Sequence, residues 1–262
     1  MQDLDPERIR SLLTTRAYGR SLDVRESTAS TNDDAREAAR AGAARGHVVV
    51  ADAQSRGRGA HGRVWSSPSG TDLYLSIVER VTLSPERVAP LTLAVGLGVA
   101  DAVRALAPAL EPRVKWPNDV WIGRRKTAGV LVEASSIGAR MDAIVIGVGL
   151  GVNRLAWHEE LASSATSVLH ASRELDAVCA ELDRASALAT LLGAIEAWVD
   201  RFVAEGPAPV VRALEERLAL RGERVRCDDV EGVLVGVESS GALRLETSSG
   251  PRSMISGTLR PL

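Results

Sequence analysis

Lys115 and Lys126 are the only lysines among thirty-two cationic side chains, and they stand eleven positions apart. Arginine is a broad planar fork that is always charged, whereas lysine points one compact ammonium into a narrow space. Two lysines kept in an otherwise arginine chain mark such a space. Each has unusual neighbours, Lys115-Trp116-Pro117-Asn118-Asp119 and Arg124-Arg125-Lys126-Thr127-Ala128-Gly129. The first run ends a strand at proline and then offers the oxygens of Asn118 and Asp119, which suit Mg²⁺, a ribose or an ordinary hairpin turn. Lys126, opening the next strand, reaches the same spot across an antiparallel pair. Two cations and a carboxylate at one place are equipment for handling phosphate or carboxylate oxygens.

A second segment points the same way. From Gln54 to Trp65 the chain reads Gln-Ser-Arg-Gly-Arg-Gly-Ala-His-Gly-Arg-Val-Trp. Glycines there let backbone N–H groups turn toward an anion and the arginines add fixed charge, which together make a phosphate or carboxylate cradle. Trp65 closes the run with the aromatic face a purine needs. Arg-Gly strings also bind nucleic acid, but the chain has only eight aromatic residues, not interleaved with the basic ones, and a net charge of −2. That balance excludes a broadly cationic surface for nucleic acid or anionic membrane.

Two motifs are set aside. Gly147-Val148-Gly149-Leu150-Gly151 follows a strand but falls short of the G-x-G-x-x-G spacing. No Gly-Lys pair exists anywhere, so a nucleotide bound here is bound without a Walker A loop. Cys179 and Cys227 lack paired spacing and read as buried reduced thiols. His47, His61, His158 and His170 are scattered, and no structural metal is assigned. The charged stretch Met1 to Arg10 is no secretory signal, and no run approaches the roughly eighteen apolar residues of a membrane span. A soluble cytoplasmic protein is expected.

Elements must position these residues, and 45% hydrophobic content with 3% aromatics implies a core of Val, Leu, Ala and Ile. Asp5-Pro6-Glu7 starts a helix whose apolar face is Ile9, Leu12 and Leu13. A second helix opens at Ser30-Thr31-Asn32 and closes at Gly42. His47 to Ala53 is a buried strand, Gln54 to Gly70 a long functional loop, Leu73 to Val78 a strand, and Val88 to Leu106 a long apolar helix. Val114 to Ile122, Thr127 to Glu133 and Ala143 to Val152 are strands joined by short turns and hence antiparallel, against a doubly wound parallel sheet. Glu174 to Val203 reads as helix, broken at Gly206-Pro207, and another runs from Val210 to Leu220. Past Gly222 come short strands, Arg224 to Cys227, Gly232 to Val237, Ala242 to Glu246 and Ser253 to Ile255, which fit a small SH3-like β-barrel. Two domains are expected, 1–220 and 221–262.

Ser30-Thr31-Asn32, Gln54 with Gly57-Arg58-Gly59 and Gly62-Arg63-Val64-Trp65, Lys115-Trp116-Pro117-Asn118-Asp119, Lys126 with Ala128-Gly129, and Gly147 through Asn153 resemble, in order, the motifs of biotin protein ligases. The resemblance runs from about residue 25 to the end. It implies an α+β fold: a mixed, largely antiparallel sheet with helices, akin to class II aminoacyl-tRNA synthetases, then an SH3-like barrel. It also implies ATP-dependent formation of biotinyl-adenylate and transfer to a lysine of a biotin carboxyl carrier domain of a carboxylase, with Mg²⁺. About 25 residues precede the first motif, too few for the DNA-binding domain of some relatives, so the monofunctional type is expected; a homodimer is left open.

By resemblance, Ser30, Thr31, Asn32 and Gln54 fix biotin's polar ring, and Arg58, Gly59, Ala60 and nearby backbone enclose the phosphate–carboxylate junction. Lys126 bridges the biotin carboxylate and the α-phosphate. Arg63 and Lys115 serve the ATP phosphates or the adenylate, Trp65 packs on adenine, Asn118 and Asp119 hold phosphate or Mg²⁺, and Asn153 is a further nucleotide contact. Many relatives carry arginine where this chain has Ala60, which implies a less tightly held intermediate unless Arg56 or His61 compensates. The competing readings are a lipoate or octanoate ligase of the same superfamily, a nucleic-acid-binding module built on the Arg-Gly loop, and a non-catalytic adenylate-binding regulator.

Overall fold

Alternating valine runs and one long apolar helix organise the chain around two sheets. The computed structural model describes residues 3–81, 84–137 and 140–262. Seven strands form the first sheet: β1 (Leu22–Thr28), β2 (Val48–Gln54), β3 (Leu73–Glu79), β4 (Pro112–Lys115), β5 (Asp119–Ile122), β6 (Arg125–Ile137) and β7 (Arg140–Leu150). Their order is β1-β2-β3-β7-β6-β5-β4. Only β1 and β2 pair in parallel; the other neighbours are antiparallel. The sheet is therefore mixed and largely antiparallel, as the short turns require.

The period of two decides what each face buries. Val48, Val50, Leu75, Ile77, Ile144 and Ile146 join the main core, while Val49, Val78, Ala143 and Val145 form a smaller cluster with Ala35 and Ala39. Those two alanines belong to α2 (Thr31–Arg40), the crossover between β1 and β2. Its small face lies close on the sheet and leaves its first turn over β3, β6 and β7. The opposite face carries α3 (Val88–Leu106), packed on β4, β5 and β6 and on α6 (Arg184–Glu205), which also holds α1 (Pro6–Leu12). Two short helices, α4 (Glu159–Ala162) and α5 (Val168–Leu175), precede α6, and α7 (Ala208–Arg217) follows it.

The C-terminal strands are β8 (Arg224–Cys227), β9 (Val230–Val237), β10 (Leu243–Thr247), β11 (Gly250–Met254) and β12 (Leu259–Pro261). They pair antiparallel in the order β11-β10-β9-β8-β12, and among the described residues the two edges do not pair, so this sheet is open rather than a closed barrel. Val225, Leu234, Leu243 and Leu259 continue the main core. Trp116, fully buried, donates its indole N–H to the Gly241 carbonyl at 2.9 Å, and a Cβ at Gly241 would fall 2.9 Å from Pro90 N.

Several expectations need correction. Val114–Ile122 is two strands, because Pro117 has no N–H for the ladder, and the chain turns back so that Lys115 faces Asp119. Glu174–Val203 is not one helix. Asp176 accepts from Val178 N, Asp183 caps α6 through Ser186 N, and Asn153 grips Leu182, and these ties hold 176–183 out of helical form. The next helix is Ala208–Arg217 rather than Val210–Leu220. Leu12 faces outward, 38% exposed, and Cys179 is only half-buried. β1 and β12, too polar or too short to show a pattern, were not expected. Finally, α3 is long and apolar enough to cross a bilayer by length and composition alone; it is instead mostly buried between the sheet and α6.

Candidate active site

A pocket opens where the first turn of α2 faces β6 and β7. Its floor is glycine for a reason of space. A Cβ at Gly129 would lie 2.8 Å from the Trp65 ring, one at Gly149 would overlap the same indole, and one at Gly147 would overlap Asn32 Oδ1. Gly129 and Gly149 are cross-strand partners on β6 and β7, so two missing side chains make one bed for Trp65. The indole N–H of Trp65 is buried without a partner among the described residues, and Lys126 Nζ stands 5.1 Å from the ring centroid.

The polar wall comes from α2, β2 and β3. Ser30, Thr31 and Asn32 are 5% exposed or less. Gln54 Oε1 accepts from Thr31 N at 2.9 Å, and Gln54 Nε2 donates to Ser67 Oγ at 2.9 Å. Ser76 Oγ lies 2.8 Å from Thr31 Oγ1 and 2.6 Å from Asn32 Oδ1. Asn32 Nδ2 donates to Glu133 Oε2 at 2.7 Å.

The Arg-Gly loop is folded rather than open. Arg58 and Val64 form a β-bridge, Trp65 N donates to Gly57 O at 2.9 Å, and Gly59 N donates to Arg63 O at 2.7 Å. These two N–H groups are spent inside the loop, so the expectation that its glycines present amides to an anion is corrected at Gly59. Gly57 serves packing instead, since a Cβ there would meet Trp65 O, Ser67 Oγ at 2.8 Å and Gln54 Nε2 at 3.0 Å. His61, with φ 58, turns the tip. The Arg58 guanidinium reaches back to Asp33 Oδ1 at 2.9 Å and Glu133 Oε2 at 3.0 Å.

At the other end, Lys126 Nζ is 2.5 Å from Asp119 Oδ1. Lys115 is 7% exposed, opposite Asp119 in the β4–β5 hairpin, with its ammonium 5.5 Å from the Trp121 ring centroid. Burial lowers its pKa, and Asp119 partly offsets this. Asn118 fixes its own turn by donating Nδ2 to Val130 O at 2.8 Å. Burial pushes the neighbouring thiol of Cys227 up to about 11, which leaves it an unreactive core group.

The structure thus brings Ser30, Thr31, Asn32, Gln54, Arg58, Gly59, Ala60, Trp65, Asn118 and Lys126 to one pocket, with Asp119 behind Lys126 and Lys115 beside Asp119. Arg63 is exposed, its Nε donating to Ala60 O at 3.2 Å. Asn153 stands apart, both polar atoms committed to Leu182 at 2.8 and 2.9 Å. Ser76, Leu131 and Glu133 were missed. Leu131 and Glu133 follow Gly129 at the period of two, a signal that register with the glycines makes visible. Among the described residues no three His, Cys, Asp or Glu side chains gather as a metal site. Asp119, one carboxylate already paired with a lysine, fits a Mg²⁺ that arrives with nucleotide phosphates and not a preformed cage.

Residues 24–151 match the Biotin/lipoate A/B protein ligase family. The biotin--[acetyl-CoA-carboxylase] ligase of Mycobacterium tuberculosis is 34% identical over 96% of this chain and 92% of its own length. The bifunctional ligase/repressor BirA of Bacillus subtilis is 30% identical over 98% of this chain and 78% of its own. Among solved structures, a biotin protein ligase from Aquifex aeolicus in complex with biotin and ATP superposes with a TM-score of 0.79 at 28% identity, covering 93% of this chain and all of that one.

Proposed function

The chain belongs to the biotin/lipoate A/B protein ligase family, and from that premise we propose that it is an ATP-dependent biotin ligase. It joins biotin to AMP, releasing pyrophosphate, and passes the biotinyl group to a lysine of a carboxylase's biotin carboxyl carrier domain, releasing AMP. The observation that carries this reading is the pocket itself: a polar wall at one end, glycine and indole in the middle, and the Lys126–Asp119 pair at the other. A bicyclic urea with a carboxylate tail has that order of chemistry.

The acid needs no base for the first step, since a carboxylate of pKa about 4 to 5 is ionised at neutral pH. What it needs is relief of repulsion between two anions. Lys126 at the pocket's cationic end is placed to bridge the biotin carboxylate and the α-phosphate, and its compact ammonium suits that gap. Arg58 adds charge once its carboxylate partners yield. Lys115 and the exposed Arg63 serve the phosphates, and Asn118 lines the same end. Mg²⁺ comes with ATP and would be held by Asp119 and phosphate oxygens, neutralising charge. Trp65 rests on Gly129 and Gly149 and offers its remaining ring surface to the adenylate. Asn153 we assign to holding Leu182 rather than to nucleotide. Ala60 gives the wall only a methyl, so retention of the intermediate falls to Arg58 and Lys126. The acceptor lysine, of pKa about 10.4, must lose a proton before attack.

Residues 221–262 form a second unit of SH3-like size, whose Gly241 carbonyl steadies Trp116 beside the Lys115 hairpin; we read 1–220 as the catalytic unit and cytoplasm as the site of action. The test is exchange of labelled pyrophosphate into ATP with no carrier protein present. Exchange with biotin and not with lipoate or octanoate is expected. Exchange with lipoate alone would transfer the assignment within the family, and none with any acid would overturn it.

A further inference from the structure

Ser76, on β3, is fully buried and touches two residues of the polar wall. Its proton can be located by elimination. Glu133 is a carboxylate, so the Asn32 atom 2.7 Å from it must be the donating Nδ2, and Asn32 therefore turns its carbonyl oxygen toward Ser76. Oδ1 carries no proton. The 2.6 Å contact between it and Ser76 Oγ is attractive only if the serine donates. A hydroxyl has one proton, so Ser76 has none left for Thr31 Oγ1 at 2.8 Å, and the threonine must donate in that contact. The alternative partner for the Thr31 proton, Gln54 Oε1, is farther at 3.3 Å and already accepts from Thr31 N. Thr31 Oγ1, on the pocket wall, is left with lone pairs only.

We propose that Ser76 is a positioning residue which, through Asn32 and Glu133, fixes the Thr31 hydroxyl as a hydrogen-bond acceptor, so that this wall selects a ring N–H donor such as a cyclic urea. The proposal rests on the biotin reading and explains how the site rejects rings without an N–H. A dithiolane or an alkyl chain would leave the lone pairs of Thr31 Oγ1 buried without a donor, which costs more than a lost contact. Gly147 belongs to the same device, because any side chain there would displace Asn32.

The experiment measures the biotin KM in pyrophosphate exchange for the full chain and its Ser76→Ala, Thr31→Val and double variants. Ser76→Cys serves as a near-isosteric second case in the event that alanine leaves a void. Loss of one hydrogen bond of this kind corresponds to about tenfold. Ser76→Ala is expected to raise the biotin KM about tenfold with kcat and the ATP KM within about twofold. In the Thr31→Val background it should add less than about twofold, because the group it acts through is gone. A biotin analogue with a cyclic carbonate in place of the urea, offering no N–H, should inhibit the wild-type and Ser76→Ala proteins equally. Equal KM factors in both backgrounds, an unchanged KM, or a matched loss for the carbonate would overturn the proposal while leaving the ligase reading intact. Absence of biotin-dependent exchange in the wild-type protein would overturn both.

Discussion

At the scale of single residues, the two lysines divide the work. Lys126 is paired with Asp119 at the pocket's end. Lys126→Ala should lower exchange by at least about a hundredfold with the fold retained at a lowered unfolding midpoint, since Asp119 is left buried without that cation, and Lys126→Arg should not restore exchange, since the fork cannot enter the same gap. Full activity in the alanine variant would refute the bridging role. Lys115 is different: it is held in a buried place at a cost. Its folded pKa lies below the unfolded value near 10.4, so at neutral pH the charged form is penalised, and the penalty fades as pH rises through the window below about 10.4. Lys115→Met should therefore raise the thermal midpoint at pH 7, lose that alkaline gain, and lower exchange. A drop in midpoint would show that the contact with Trp121 outweighs the burial cost. The composition pointed to both lysines before any geometry, because their type was rare; Glu133 and Ser76 are common types and gave no such signal.

At the scale of elements, legibility followed whether a segment's fate is decided locally. Val88–Leu106 was bounded to the residue, because an unbroken apolar run has few alternatives. The stretch from Asp176 to Asp183 has helical composition, but Asn153 and the N-cap at Asp183 take its backbone elsewhere, and no local pattern records a clamp from twenty-nine residues away. The wall residues were half legible for a related reason. The α2 cap at Ser30 could be read as a cap, whereas which β3 and β6 side chains lie beneath it depends on register. Register also explains the glycines. Gly149→Ala places a methyl where the Trp65 indole sits, so the ring must leave its bed on β6 and β7. The variant should fold, since only one methyl is added at the pocket edge, while the biotin KM rises about tenfold or more and Trp65 becomes more accessible to a collisional fluorescence quencher in a protein whose other tryptophans are replaced by phenylalanine. Unchanged quenching and KM together would show that the indole is not seated there.

At the scale of the whole molecule, one arginine fastens the start of the chain to the sheet behind the site. Arg184, 1% exposed at the first turn of α6, grips Asp3 through Nε and Nη2 at 2.6 and 2.7 Å. Its Nη1 meets Asp52 Oδ1 at 2.6 Å and Asp72 O at 3.2 Å. Asp52 in turn accepts from Gly70 N at 3.0 Å, at the end of the loop that carries Trp65. The N-terminal segment, β2, the entry to β3 and α6 therefore meet at one guanidinium. Its hydrogen bonds also hold the Asp3 carboxyl below its ordinary range, so that share of stability is present above pH about 4 and is lost as pH falls through the lowered value. Arg184→Met keeps the bulk and removes the charge, leaving Asp52 buried without its cation. Breaking such a pair costs about 3 to 5 kcal/mol, which urea unfolding at pH 7 would read directly. The larger part of that cost is the stranded carboxylate rather than the lost attraction, so Asp52→Asn in the Arg184→Met background should recover stability, although the same change alone should destabilise. A further loss in the double variant would mean that Asp52 is held by Gly70 and solvent, and that Arg184 acts only as a tether for the N-terminal segment.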